Sequence, residues 1–200
     1  MTKLHVILAA DIFGKSREFE ALCQQINFPE IEDVSVQFHV LGPYQHPKNF
    51  ASEQQAYQYF SENVGIACYS QYLLSIISAI SGPKLLVGFS VGGSAMWQLM
   101  PKLACHQVLS VTCFYSSQIR HMTSLDATVS TTLVFPKSEQ HFSVEKLIEM
   151  LEEKSLVDIE QSAYQHGFLN QLSNNYSEPE AQKYLKKMTS IIQDAIKTIV

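Results

Sequence analysis

Between Leu85 and Trp97 the chain reads Leu-Leu-Val-Gly-Phe-Ser-Val-Gly-Gly-Ser-Ala-Met-Trp. An apolar run enters this stretch, a Gly-x-Ser-x-Gly turn occupies its middle, and a run of helical character leaves it. Few folds accommodate that order. A strand that turns into a helix this tightly crowds its own backbone, and only small residues fit two positions either side of the serine. Gly88 and Gly92 meet that need. The turn lifts the Ser90 oxygen clear of the chain, and the following helix aims its N-terminal dipole at it. Ser90 is the candidate nucleophile. The plainer alternative is a glycine-lined turn with a solvated serine.

The rest of the chain supplies a frame for such a turn. Leu4 to Ala10 is almost continuously apolar, as in a strand buried on both faces. Ser16 to Ile26 has helical spacing, with Phe19, Leu22, Cys23 and Ile26 on one face. Val34 to Leu41 reads as a strand. Ser52 opens a long helical region that breaks near Asn63 to Gly65, and its second part, Ile66 to Ile80, ends at Gly82-Pro83. The turn strand and its helix run from Lys84 to about Met100, with Pro101 as the stop. Strands are expected at Gln107–Tyr115, Thr128–Phe135 and Leu156–Ala163, and helices at Val144–Leu151 and Glu180–Ile199. Gln118 to Ala127 reads as an irregular polar loop.

Strands alternating with helices predict a doubly covered α/β domain with six or seven mostly parallel strands. Two hundred residues, 46% of them hydrophobic and 16% charged, suit a single domain without a large lid. A formal net charge of -5 and the lack of a dense basic run argue against nucleic acid as a partner. No apolar run has the length of a membrane span. The four cysteines form no C-x-x-C pair, and no signal peptide is apparent. Free thiols in the cytoplasm are the simplest expectation.

In a parallel sheet, functional groups collect beyond the carboxyl ends of the strands. A serine hydroxyl needs a base, and the base needs a carboxylate to orient it. Elbow hydrolases carry these in the order serine, acid, histidine. Of seven histidines, His121, His141 and His166 follow both Ser90 and a later strand, and His166 comes directly after the last one. Glu139 lies just past the strand ending at Phe135. Asp126 precedes that strand, and Asp158 lies within or at the start of the last one. Ser90, His166 and Glu139 are therefore the expected catalytic set, with Asp126 the alternative acid. Val91 offers one backbone N–H for an oxyanion hole, and a second is expected from the loop Asp11-Ile12-Phe13-Gly14.

Taken together, these pieces resemble the α/β-hydrolase superfamily, and within it the dienelactone hydrolase-like family. The resembling segments are Asp11-Ile12-Phe13-Gly14, Gly88-Phe89-Ser90-Val91-Gly92-Gly93, Glu139-Gln140-His141-Phe142 and His166-Gly167-Phe168. The resemblance implies that the Ile12 N–H joins that of Val91 in the oxyanion hole. It also implies an acidic residue, Asp11, beside the nucleophile. The expected activity is hydrolysis of a small carboxylic ester or thioester through an acyl-enzyme, with no metal or organic cofactor. The departures are Ser90 where the name-giving enzymes carry cysteine, Glu139 where they commonly carry aspartate, and Phe168, Leu169 and Asn170 where they hold a substrate carboxylate with arginine.

The expected substrate pocket comprises Asp11, Phe13, Phe89, Tyr115, Arg120 and Phe168, the aromatic members being equally suited to the core. Arg17 and Arg120 are the only arginines. With Asp11 near the site, neutral esters should be preferred to carboxylate-bearing ones by about a hundredfold. Two other readings compete. Ala9-Ala10-Asp11-Ile12-Phe13-Gly14-Lys15-Ser16 fits a relaxed phosphate-loop pattern, which would make the chain a nucleotide-binding protein. A non-catalytic hydrolase fold that binds a ligand or partner is the other.

Overall fold

The computed structural model describes residues 2–27 and 33–200. Among the described residues six strands form one sheet: β1 (Thr2–Ala9), β2 (Val34–Leu41), β3 (Lys84–Phe89), β4 (Val108–Phe114), β5 (Ser130–Phe135) and β6 (Val157–Gln161). Their order is β2-β1-β3-β4-β5-β6, and every neighbouring pair is parallel. The helices are α1 (Arg17–Gln24), α2 (Glu53–Asn63), α3 (Gly65–Ala79), α4 (Val91–Gln98), α5 (Met100–Leu103), α6 (Val144–Leu151) and α7 (Glu178–Ile199).

The period-two alternation of the central strands builds two cores, one on each side of the sheet. Leu4, Val6, Leu8, Leu85, Val87 and Phe89 face α1 and α7, where Phe19, Leu22, Tyr184, Leu185 and Met188 cover them. Ile7, Ala9, Leu86, Val111 and Cys113 face the opposite way, onto Tyr69, Leu73 and Ile77 of α3 and Met96 and Trp97 of α4. This explains why most of β1 and β3 reads as almost continuously apolar: both of their faces are buried. Burial of each such side chain contributes roughly 1.5–3 kcal/mol.

Element boundaries differ from expectation in a few places, each for a local reason. Pro101 does not stop the helical path but opens α5, since the first turn of a helix has no use for the missing N–H. The loop after β4 begins with a short 3-10 helix, Ser117–His121. It is tied to α4 by the indole of Trp97, which donates to the Met122 carbonyl at 3.0 Å. The last strand is shorter than the apolar pattern suggested, and α7 starts two residues earlier, with Pro179 in its first turn. Among the described residues no helix is long and apolar enough to cross a membrane.

Candidate active site

Ser90 stands between β3 and α4 with φ 51° and ψ -112°, a conformation that L residues rarely adopt. Its N–H is anchored to the Phe114 carbonyl at 2.8 Å. The flanking glycines are there for space. A Cβ on Gly88 would lie 2.4 Å from the Gly93 Cα, and one on Gly92 would lie 2.3 Å from the Ala9 carbonyl oxygen. Helix α4 can thus press against β1 and β3, which is what turns the serine outward.

The Ser90 hydroxyl lies 2.9 Å from Nε2 of His166. Nδ1 of His166 lies 2.7 Å from Oε1 of Glu139. Glu139 belongs to the loop after β5 and His166 to the loop after β6. Those two loops are laced together: the Lys137 N–H donates to the Tyr164 carbonyl at 2.7 Å, and the Ser138 hydroxyl bonds the Gln165 side chain at 3.0 Å. Asn175 donates to the His166 carbonyl at 2.9 Å. Below the imidazole sits the Tyr115 ring, with centroids 5.0 Å apart.

Burial pushes the Glu139 carboxyl up, but its bond and charge interaction with His166, the Ser117 hydroxyl and the field of Arg120 together outweigh that and hold it below the usual carboxylate range. Glu139 is therefore an anion at neutral pH, able to accept a hydrogen bond from Nδ1–H and so leave Nε2 as an acceptor toward Ser90. The other candidate acid, Asp126, is exposed and paired with Lys154 at 2.7 Å. Asp158 is exposed on β6.

Ser117 was not anticipated. Its hydroxyl donates to the same Glu139 oxygen and lies 3.0 Å from His166 Nδ1. It sits just beyond the carboxyl end of β4, where a parallel sheet gathers functional groups. That rule is the only signal that pointed to it, because a serine in a polar loop has no motif of its own.

Ser90 opens into a cleft of about 780 Å³. Glu53, Gln54 and Tyr57 of α2 form one wall, and Arg120, Glu139, His141, Phe142 and His166 form another. Ile12 and Val91 both line the cleft. Among the described residues neither of their amides has a protein acceptor. For Val91, at the first position of α4, that is the normal state of a helix N-terminus.

The expected pocket is largely corrected. Of its six members only Arg120 lines the cleft. Phe13, Phe89, Tyr115 and Phe168 are all buried in the core. Phe89 stacks on Phe114 at 5.3 Å, and Tyr115 meets Phe168 edge-on at 5.1 Å. Residues at strand ends beside a helix layer have more apolar surface to gain inward than toward an open cleft. Asp11 is buried, and its carboxylate accepts from the Phe13 N–H and from Asn170; it makes no hydrogen bond to Ser90. Arg120 is anchored, donating to the Ser117 carbonyl at 2.7 Å and lying over the Phe142 ring at 5.0 Å. Arg17 and His121 are exposed and outside the cleft, whereas His141 lies on its rim.

The loop that fits a relaxed phosphate-binding pattern is arranged otherwise. Its own Asp11 carboxylate takes the Phe13 amide, Ser16 caps α1 by accepting from the Phe19 N–H, and Lys15 pairs with Glu20 at 3.6 Å. Among the described residues no group of three or more His, Cys, Asp and Glu side chains is placed to hold a metal ion.

No protein-family model and no curated protein sequence matches this chain. Solved structures do. Mouse alpha/beta hydrolase domain-containing protein 10 superimposes with a TM-score of 0.62 at 8% identity, covering 96% of this chain and 90% of its own. A dienelactone hydrolase-like promiscuous phosphotriesterase, P91, from metagenomic libraries gives 0.62 at 10% identity, with 96% and 87% covered. Est1E from Butyrivibrio proteoclasticus, in a structure with ferulic acid bound, gives 0.61 at 11% identity, with 96% and 89% covered. At such identities the likeness shows the fold, and the fold is that of the α/β hydrolases.

Proposed function

We propose that this chain is a serine hydrolase that cleaves a small carboxylic ester. The observation that carries the reading is the unbroken line of hydrogen bonds from Ser90 to His166 to Glu139, at 2.9 and 2.7 Å, opening into the cleft. The hydrolases among the structural neighbours support it, one described as a phosphotriesterase and one holding ferulic acid.

His166 Nε2 removes the hydroxyl proton as Ser90 Oγ attacks the ester carbonyl carbon. The carbonyl oxygen becomes an oxyanion, stabilised by the N–H groups of Ile12 and Val91. Glu139 holds the imidazole in the required tautomer and balances its positive charge. The tetrahedral intermediate collapses, the ester C–O bond breaks, and the leaving alkoxide takes the proton from His166. Water then attacks the acyl-serine with His166 again as base, releasing the carboxylic acid and restoring Ser90. Thioesters pass through the same kind of intermediate and are the close alternative.

We also read the chain as one cytoplasmic domain, on the grounds that Cys23, Cys68, Cys105 and Cys113 are all unpaired thiols. A panel of esters and thioesters of varied acyl length tests the function. Wild type should turn over short-chain members, and Ser90→Ala should remain folded and lose that turnover by at least about a thousandfold. Equal turnover in Ser90→Ala would refute the assignment.

A further inference from the structure

Asp11 lies behind the oxyanion-side loop with only 5% of its surface exposed. Its Oδ1 accepts from the Phe13 N–H at 2.9 Å, and its Oδ2 accepts from the Asn170 side-chain amide. The two donors come from distant parts of the chain. The Phe13 N–H belongs to the peptide that follows Ile12. The other side of that peptide is held as well, the Tyr44 hydroxyl donating to the Ile12 carbonyl at 2.6 Å. Asn170, also 5% exposed, belongs to the turn that follows His166. It is fixed there by its own N–H on the Gly167 carbonyl at 2.9 Å, and by its Oδ1, which accepts from the Leu172 N–H at 2.8 Å.

A buried carboxylate is expensive to desolvate. Burial leaves the Asp11 pKa raised above the usual carboxylate value, and the bonds from Asn170 and Phe13 offset only part of that rise. Asp11 has no hydrogen bond to Ser90 or His166, so it stands outside the proton path. What a carboxylate provides at this point is two acceptors directed at two different loops.

We propose that Asp11 and Asn170 form a joint that locks the loop carrying the Ile12 amide to the loop carrying His166, and that both act as positioning residues. This rests on the serine-hydrolase reading above. In acyl transfer the oxyanion donor and the base must address the same carbonyl group. Here they stand on loops after β1 and β6, which are four places apart in the sheet. Chain connectivity alone leaves their relative placement loose. The Asp11–Asn170 bond spans that separation, and a misplacement of about 1 Å costs on the order of a hundredfold in rate.

A swap tests the joint. Asp11→Asn sets two amide donors face to face, and Asn170→Asp sets two carboxylates face to face. The double variant Asp11→Asn/Asn170→Asp restores the bond with its direction reversed, and its other acceptors still serve Phe13 and Leu172. Each single variant should lower kcat about a hundredfold with KM changed by less than about threefold, and the double should recover to within about tenfold of wild type. Undiminished kcat in either single variant overturns the joint. So does a double variant no better, in fold or in kcat, than the singles. Should a single variant fail to fold, Asn170→Ala replaces it, and full kcat in that folded variant likewise overturns the proposal. Ser90→Ala is assayed alongside. If it is inactive while Asp11→Asn is fully active, only the joint falls; if it is active, the serine-hydrolase reading falls and takes the joint with it.

Discussion

Glu139 is held by three partners of different kinds, and their division of work is open to measurement at the level of single atoms. His166 supplies a hydrogen bond and charge, Ser117 a hydroxyl, and Arg120 a field from within the cleft. Removing the hydroxyl leaves the carboxylate half-buried with one donor fewer and frees the imidazole to rock. Ser117→Ala should therefore lower kcat about tenfold with little change in KM, as expected for a group that matters only when the imidazole becomes charged. Unchanged kcat would reduce Ser117 to a space-filling role. Residues differ in how far their sequence announces them. Ser90 is legible because the crowding at Gly88 and Gly92 leaves no freedom of residue type. His166 and Glu139 are legible from chain order and from strand ends. Ser117 and Asn170 are not, because their contributions depend on contacts across 22 and 159 residues of chain that no local pattern encodes.

Among the elements, β1 and β2 carry a feature remote from the cleft. His5 Nδ1 and His39 Nε2 are 2.9 Å apart, an arrangement in which one ring nitrogen donates its N–H and the other accepts the hydrogen bond. Burial lowers the His5 pKa, and His39, Lys3 and Lys84 lower it further. Burial and Lys3 lower that of His39. Both imidazoles then protonate more readily in the unfolded chain than in the folded one. Stability from this pair is present above the ordinary histidine pKa of 6.5 and is lost as pH falls through that value toward the folded-state pKa values. His39→Gln should thus flatten the decline of Tm between about pH 7 and pH 5. A decline as steep as that of wild type would show that the pair carries no linkage. The elements themselves were readable wherever both strand faces are buried or a helix has one clean apolar stripe. They were misread at Pro101 and after Tyr115, where the outcome depended on tertiary anchors such as the Trp97 indole bond.

At the scale of the whole molecule, the cleft and the core divide the side chains differently from what their residue types suggest. The aromatic rings near the strand ends go inward, and the charged groups that line the cleft include Glu53, Glu139 and one anchored arginine, beside apolar Ile12, Val91 and Phe142. An anion brought into such a cleft meets two carboxylates and a guanidinium already engaged with a carbonyl and a ring. Neutral esters should accordingly exceed matched carboxylate-bearing esters by about a hundredfold in kcat/KM. The reverse preference, abolished by Arg120→Ala, would show Arg120 to be a substrate anchor. Ester cleavage by this chain depends above all on the nucleophile. Wild-type protein treated with a fluorophosphonate should gain one adduct per chain, mapped by mass spectrometry to the Ser90 peptide, with ester turnover lost in parallel. Turnover that persists when Ser90 is fully labelled, or an ester-cleaving protein whose Ser90 takes no label, would contradict it.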